Sequence, residues 1–249
     1  MATRAARGLG QYSGVARAVE RVGERWALLI VRDLLGGARR YSDLKAGLPR
    51  IPTNILSDRL KELQEAGILR RVPTVRGGYE LTATGRALEP VVLALERWGF
   101  SGLGEPAEGE IITADALAVT LRAAFRPDAA AALPPTEYVL HVGGTSVSAT
   151  VVGTTLDIVP VGPGALPQPA RAVASVDPPE AILELMAEPR AFRDLLAGVG
   201  DGAAVGDSSG VTVLSGRASF VKRFARTFRI EPIGPVGDSR EAGVTASVA

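Results

Sequence analysis

The chain has 249 residues, 46% hydrophobic and 22% charged, enough to bury one large core or two ordinary ones. It has no cysteine, which excludes disulfides, thiolate zinc sites and thiol switches, and its single histidine, His141, argues against a histidine metal site or a catalytic triad. The net charge of +1 hides an asymmetry: residues 1–100 carry 17 Lys and Arg against 10 Asp and Glu, a net of +7, and residues 101–249 a net of −6, which reads either as two units with different partners or as one globule with uneven surfaces.

The first 23 residues contain arginines but no apolar core region, so they do not read as a signal peptide. Ser13 to Val22 places Val15, Ala18, Val19 and Val22 at helical spacing. Glu24 to Leu35 is apolar on nearly all sides, the pattern of a buried helix, and Gly36-Gly37 ends it. Its apolar run, Trp26 to Val31, stops at Arg32 and is too short to cross a bilayer, so a cytoplasmic protein without a membrane partner is expected. Ser42 is the expected cap of a short helix through Ala46, with Asp43 at its positive end. After the tight connection "GLPRIP", Thr53 to Ala66 reads as a helix with Leu56, Leu60 and Leu63 on one stripe. Ile68–Val72 and Tyr79–Thr82 read as a hairpin across "PTVRGG", with Gly77-Gly78 in the turn. Thr84 to Arg97 reads as one more helix, with Pro90 either bending it or moving its start. Its stripe is Leu88, Val91, Val92, Leu95 and Trp98.

"GFSGLGEPAEGE", residues 99–110, has the composition of a linker. Beyond it a helix is expected at Thr113–Phe125, then strands at Glu137–Val142, Ser146–Val152, Thr155–Pro160 and Ala172–Val176. Helices follow at Pro178–Ala187 and Pro189–Leu196, a strand at Val211–Leu214 and a last helix at Ala218–Phe228. From Glu231 the tail is small, polar and rich in Gly and Pro, the composition of a disordered end.

The helix at Thr53–Ala66 carries the first functional signal. Opposite its leucine stripe lie Thr53, Asn54, Ser57, Asp58 and Lys61, short hydrogen-bonding groups that approach a base edge closely. Alone, that face is a solvated surface. It follows a short helix and a tight turn, however, and precedes a hairpin bearing Arg70, Arg71 and Arg76, with Arg39 and Arg40 upstream. Helix, turn, helix and basic hairpin is the layout of a winged helix, whose second helix enters the major groove.

The stretches "VARAVERVGERWALLIVRDLLGGARRYSDLKAGLPRIPTNILSDRLKELQEAGILRR" and "YELTATGRALEPVVLALERWG" resemble the HxlR family of bacterial winged-helix regulators over residues 12–99. The resemblance implies double-stranded DNA as partner, read as a pseudo-palindromic operator by a homodimer. Its dimer interface is expected at Val15, Val19 and Val22 with Leu88, Val91, Val92, Leu95 and Trp98. DNA contacts are expected from Arg39, Arg40, Thr53, Asn54, Ser57, Asp58, Arg59, Lys61 and Arg76. Many members carry a cysteine before the first helix. Here the region reads Gln11-Tyr12-Ser13, so thiol sensing is excluded. Where the recognition helix often begins with a capping serine, Pro52 stands, and Thr53 is the expected cap.

Residues 111–230 resemble the sterol-carrier-protein-like α/β fold, through a leading helix, a three-strand meander, "ASVDPPEAILELMA" and "GVTVLSGRASFVKRFARTF". The fold class is therefore α+β: an N-terminal winged helix-turn-helix domain (1–99), a linker (100–110), a sterol-carrier-protein-like domain (111–230) and a tail (231–249). That second fold implies an apolar tunnel and a hydrophobic small-molecule effector, with Met186, Phe192, Phe224 and Phe228 as lining candidates; the plain alternative is that these four are core. No enzyme is expected and no cofactor: "HVGGTSVSAT" lacks a nucleophile elbow, and "GVGDGAAVGD" lacks the strand and helix of a dinucleotide loop. Two other readings stay open: a lipid carrier that uses its winged helix only to dimerise, and a second domain that is a filled interaction platform.

Overall fold

The computed structural model describes residues 8–73, 78–162, 181–199 and 210–231. Helix α1 (Gly14–Val22) starts where the Ser13 hydroxyl accepts from the Ala16 N–H, and it buries only Ala16 and Val22. Helix α2 (Ala27–Leu35) is sunk in the first core through Ile30, Val31 and Leu34, and Gly37 leaves it at a φ of 127°. Helices α3 (Tyr41–Gly47) and α4 (Thr53–Glu65) form the helix-turn-helix pair. Strands β1 (Leu69–Val72) and β2 (Gly78–Leu81) pair antiparallel, and Arg39 extends the wing by bridging to Tyr79.

The expected single helix after the wing is two. Thr82, not Thr84, caps α5 (Ala83–Arg86), its hydroxyl accepting from the Gly85 N–H. Helix α6 (Glu89–Phe100) then starts afresh with Pro90 in its first turn, where a missing N–H costs nothing. At α3, Ser42 is not the cap: Arg40 holds that position, and its N–H donates to the Asp43 carboxylate at 2.9 Å. Thr53 likewise follows the cap of α4, which is Pro52.

The second sheet has the order β5-β4-β3-β6-β7, built from β3 (Thr136–Val142), β4 (Thr145–Val152), β5 (Thr155–Pro160), β6 (Ala181–Ala187) and β7 (Val211–Ser215). The first three form an antiparallel meander, β6 joins β3 in parallel, and β7 closes antiparallel on β6. The inward set of β3, Tyr138, Leu140 and Val142, alternates with Glu137, Val139 and His141 as the pleat requires. It packs in a core shared with α7 (Ala114–Ala124), α9 (Pro189–Ala197) and α10 (Ser219–Thr227). The short α8 (Pro127–Ala130) was not foreseen.

One expected element has the wrong type. Residues 181–187 of the helix read at Pro178–Ala187 form strand β6, with Ala181, Leu183, Leu185 and Ala187 buried. Expected features at 74–77, 163–180 and 232–249, which include Arg76, the hairpin turn and most of the tail, lie outside the described residues.

Two hydrophobic cores result, one around α2 and α4 and one on the second sheet, and they interlock. Phe100 of α6 enters the second core, and Val119 of α7 enters the first. Arg39, buried to 2%, holds Asp115 of α7 through Nη2–Oδ1 at 2.6 Å and Nε–Oδ2 at 3.2 Å, a forked ion pair.

Candidate nucleic-acid interface

Helix α4 buries Leu56, Leu60 and Leu63 and leaves Thr53, Asn54, Ser57, Asp58 and Lys61 exposed on its other side. These five residues therefore form the outward polar face expected of a groove-reading helix. Its first turn is fixed to α3 by Tyr41, whose hydroxyl donates to the Thr53 carbonyl at 2.8 Å and lies 3.3 Å from the Ser57 Oγ. The Ser57 hydroxyl donates to the same carbonyl at 3.1 Å. Ser57 meets a base only as an acceptor, or after giving up that bond. Asn54 has an exposed amide, whose donor and acceptor match the adenine edge.

Two expected DNA contacts are corrected. Arg39 faces Asp115 inside the protein, and its sequence position beside the exposed Arg40 concealed that. Arg59 turns away from the polar face. It pairs with Glu62 one turn on and with Glu24 at 3.4 Å, with 13% of its side chain exposed. Arg40 remains on the surface, and Arg76 lies outside the described residues. In the wing, Arg70 pairs with Glu80 at 2.6 Å, and Arg71 lies over the Tyr79 ring at 5.4 Å. Sequence reasoning missed Lys45 and Arg50, which flank the turn before α4; the signal available was their place on either side of "AGLP".

The apolar stripe of α6 faces outward at Val91 (47% exposed), Leu95 (44%) and Trp98 (58%). Val15 and Val19 of α1 are also exposed. The stripe is narrower than expected: Val22 and Val92 are buried in the first core, and Leu88 packs against it.

In the second half the four lining candidates separate. Met186 is on the outer face of the sheet, half exposed, because the strand it belongs to alternates sides. Phe224 and Phe228 are fully buried, with ring centroids 4.9 Å apart, and both pack edge-on against Tyr138. Among the described residues they pack as core. Only Phe192 of the four borders the larger cavity, which has a volume of about 630 Å³. His141 bridges Ser146 at 2.7 Å and Glu184 at 3.0 Å on the outer sheet face. The strands carrying these three, β3, β4 and β6, are interior to the sheet.

Behind the helix pair, Asp33 is 2% exposed. Its Oδ1 accepts from Arg32, and its Oδ2 has no hydrogen-bond partner among the described residues. Burial pushes this carboxyl up to about 6, against the pull of Arg32.

The HxlR-like helix-turn-helix family matches residues 21–105. The chain is 41% identical over 86 residues to "Uncharacterized HTH-type transcriptional regulator YvaP" of Bacillus subtilis, covering 33% of this chain and 80% of that protein. It is 44% identical over 96 residues to "Uncharacterized HTH-type transcriptional regulator Rv3095" of Mycobacterium tuberculosis, covering 37% of this chain and 60% of that one. Among solved structures, quinone-bound YodB from B. subtilis aligns at 31% identity over 36% of this chain and 97% of that chain, with a TM-score of 0.33.

Proposed function

The chain belongs to the HxlR-like helix-turn-helix family of DNA-binding regulators, and on that premise we propose that it acts as a homodimer whose α4 helices read a pseudo-palindromic operator under the control of a hydrophobic effector. The observation that carries the reading is the exposed face of α4, polar and short-chained over two turns, on a helix locked to α3 by Tyr41. In this reading Asn54 reads a base edge and Thr53, Ser57, Asp58 and Lys61 surround it. Arg40, Lys45, Arg50 and the wing, Arg76 included, supply charge to the phosphates.

Dimerisation is assigned to Val15, Val19, Val91, Leu95 and Trp98, an unburied apolar set that a second copy would cover. We take 1–99 as the DNA-binding and dimerising part, 100–110 as the connection and 111–230 as a sterol-carrier-protein-like unit. The meander followed by a parallel return strand and helices on one face supports that last assignment. The relatives' names support a regulator and not an enzyme.

Asn54→Ala tests the base-reading role. It should cost about 1–3 kcal/mol of operator affinity and relax preference at one base position per half-site. An equal loss on all sequences would remove Asn54 as a base reader.

A further inference from the structure

The cavity of about 630 Å³ lies between the two cores. Its apolar walls come from both sides: Trp26 and Leu29 of α2, Leu48 of the turn before α4, Phe100 of α6, Ile112 before α7, and Phe192 of α9. A volume of this size suits a drug-sized organic molecule. In the second core Phe224, Phe228 and Tyr138 are buried against one another and do not border this cavity.

Charge on the wall is balanced and already engaged. Arg32 holds Asp33 at 2.7 Å and Arg193 holds Asp194 at 2.5 Å, and Arg50 donates to the Glu108 carbonyl at 3.2 Å. Glu96 accepts from Thr120 at 2.6 Å, Glu105 faces Arg190 at 3.7 Å, and Glu110 accepts from the Ala107 N–H at 3.0 Å. Three of these six groups are in ion pairs and three hydrogen-bond neutral partners, so an ionic guest would have to displace a partner or be desolvated beside a like charge. A neutral guest needs only the apolar walls, where each Å² removed from water contributes about 25 cal/mol.

We propose that this junction cavity, and not a tunnel within the second sheet unit, is the effector site, and that it takes an uncharged, largely apolar small molecule. The cavity borders Gly47 to Arg50, the turn that aims α4, and Thr113, Ala116 and Leu117 at the start of α7, the helix whose Asp115 holds Arg39 of the wing. A guest touches the turn before α4 and the helix that anchors the wing at once. The regulatory meaning of the site rests on the DNA-binding reading given above; binding itself is measured without DNA, so the two fail separately.

Trp26 is a built-in reporter. Trp98→Phe leaves it as the sole tryptophan. Titration of this full-length variant with N-phenylnaphthylamine should quench Trp26 saturably, at least tenfold more tightly than with anilinonaphthalenesulfonate, the same ring system carrying a sulfonate. Adding Ala116→Phe, which fills the cavity from α7, should weaken N-phenylnaphthylamine at least tenfold while leaving the melting temperature unchanged. Should that variant fail to fold, Gly102→Leu does the same from the connection, where a new side chain first meets the Gly99 carbonyl at an ordinary 3.5 Å. Equal affinity for the two dyes overturns the neutral-ligand assignment. Undiminished binding in a folded cavity-filled variant overturns the site. Operator binding by the chain that keeps both tryptophans, with and without the neutral dye, reports the regulatory reading on its own.

Discussion

Arg39 and Arg40 are adjacent in the chain and opposite in role. Arg40 is exposed at the start of α3, whereas the Arg39 guanidinium is buried and forked onto Asp115. Arg40→Ala should therefore lower the salt dependence of DNA binding by about one unit in log–log slope while leaving the melting temperature unchanged. Arg39→Ala should destabilise the protein, at the low end of the roughly 3–5 kcal/mol typical of breaking a buried pair, since Asp115 keeps some solvent. Chemical denaturation of both variants checks the contrast. The sequence could not separate the two, because the partner that removes Arg39 from the surface lies 76 positions away. Asp33 gives a pH prediction. Its folded-state value of about 6 lies above its ordinary 3.8, so the native state favours the protonated form. Stability from this group is greatest below about 3.8, falls as pH rises through 6 and is level above that. Asp33→Asn should then stabilise the protein at pH 7.5 by on the order of 2–3 kcal/mol, the gap closing towards pH 4. Melting curves of the two proteins across that range measure it, and a gap independent of pH would contradict the assignment.

At the scale of elements, the winged helix was legible because its signals are local. Leu56, Leu60 and Leu63 set the face of α4, Gly67 ends it at a φ of 70°, and the wing follows at once. The long helix across Pro90 was misjudged in its start, and the capping hydroxyl of Thr82 together with the proline explains the break. Strand β6 was misread for a different reason. "AILELMA" is made of helix-forming residues, and its two-residue alternation becomes decisive only beside β3, whose pairing partners lie 45 positions earlier. Met186 was misplaced with it. Of the stripe expected on α6, Val91, Leu95 and Trp98 face outward, whereas Val92 turns inward and Leu88 packs against the first core. Because Val91 and Leu95 are nearly half exposed in the single chain, replacing both with Glu should give a folded monomer whose melting temperature no longer rises with protein concentration. Sedimentation equilibrium reads the outcome; a dimer that survives both charges would place the interface elsewhere.

For the molecule as a whole, the charge asymmetry and the linker composition pointed to two units. They could not show that α6 and α7 each reach into the neighbouring core, or that Arg39–Asp115 ties the wing to the second unit. Such contacts depend on how the units pack, and no local pattern encodes it. The consequence is that the exposed stripe and the junction cavity share walls: Leu29, Arg32, Glu96, Phe100 and Leu103 border both the large cavity and a smaller one of about 270 Å³ that reaches Val92 and Leu95. The most direct test of the account is to let the full-length protein select from a pool of random DNA duplexes and to read the enriched sequence. The account predicts two inverted half-sites whose centres lie about 34 Å apart along the helix, with one base position in each lost for Asn54→Ala. Retention of DNA without sequence enrichment, or of a single half-site, would contradict it.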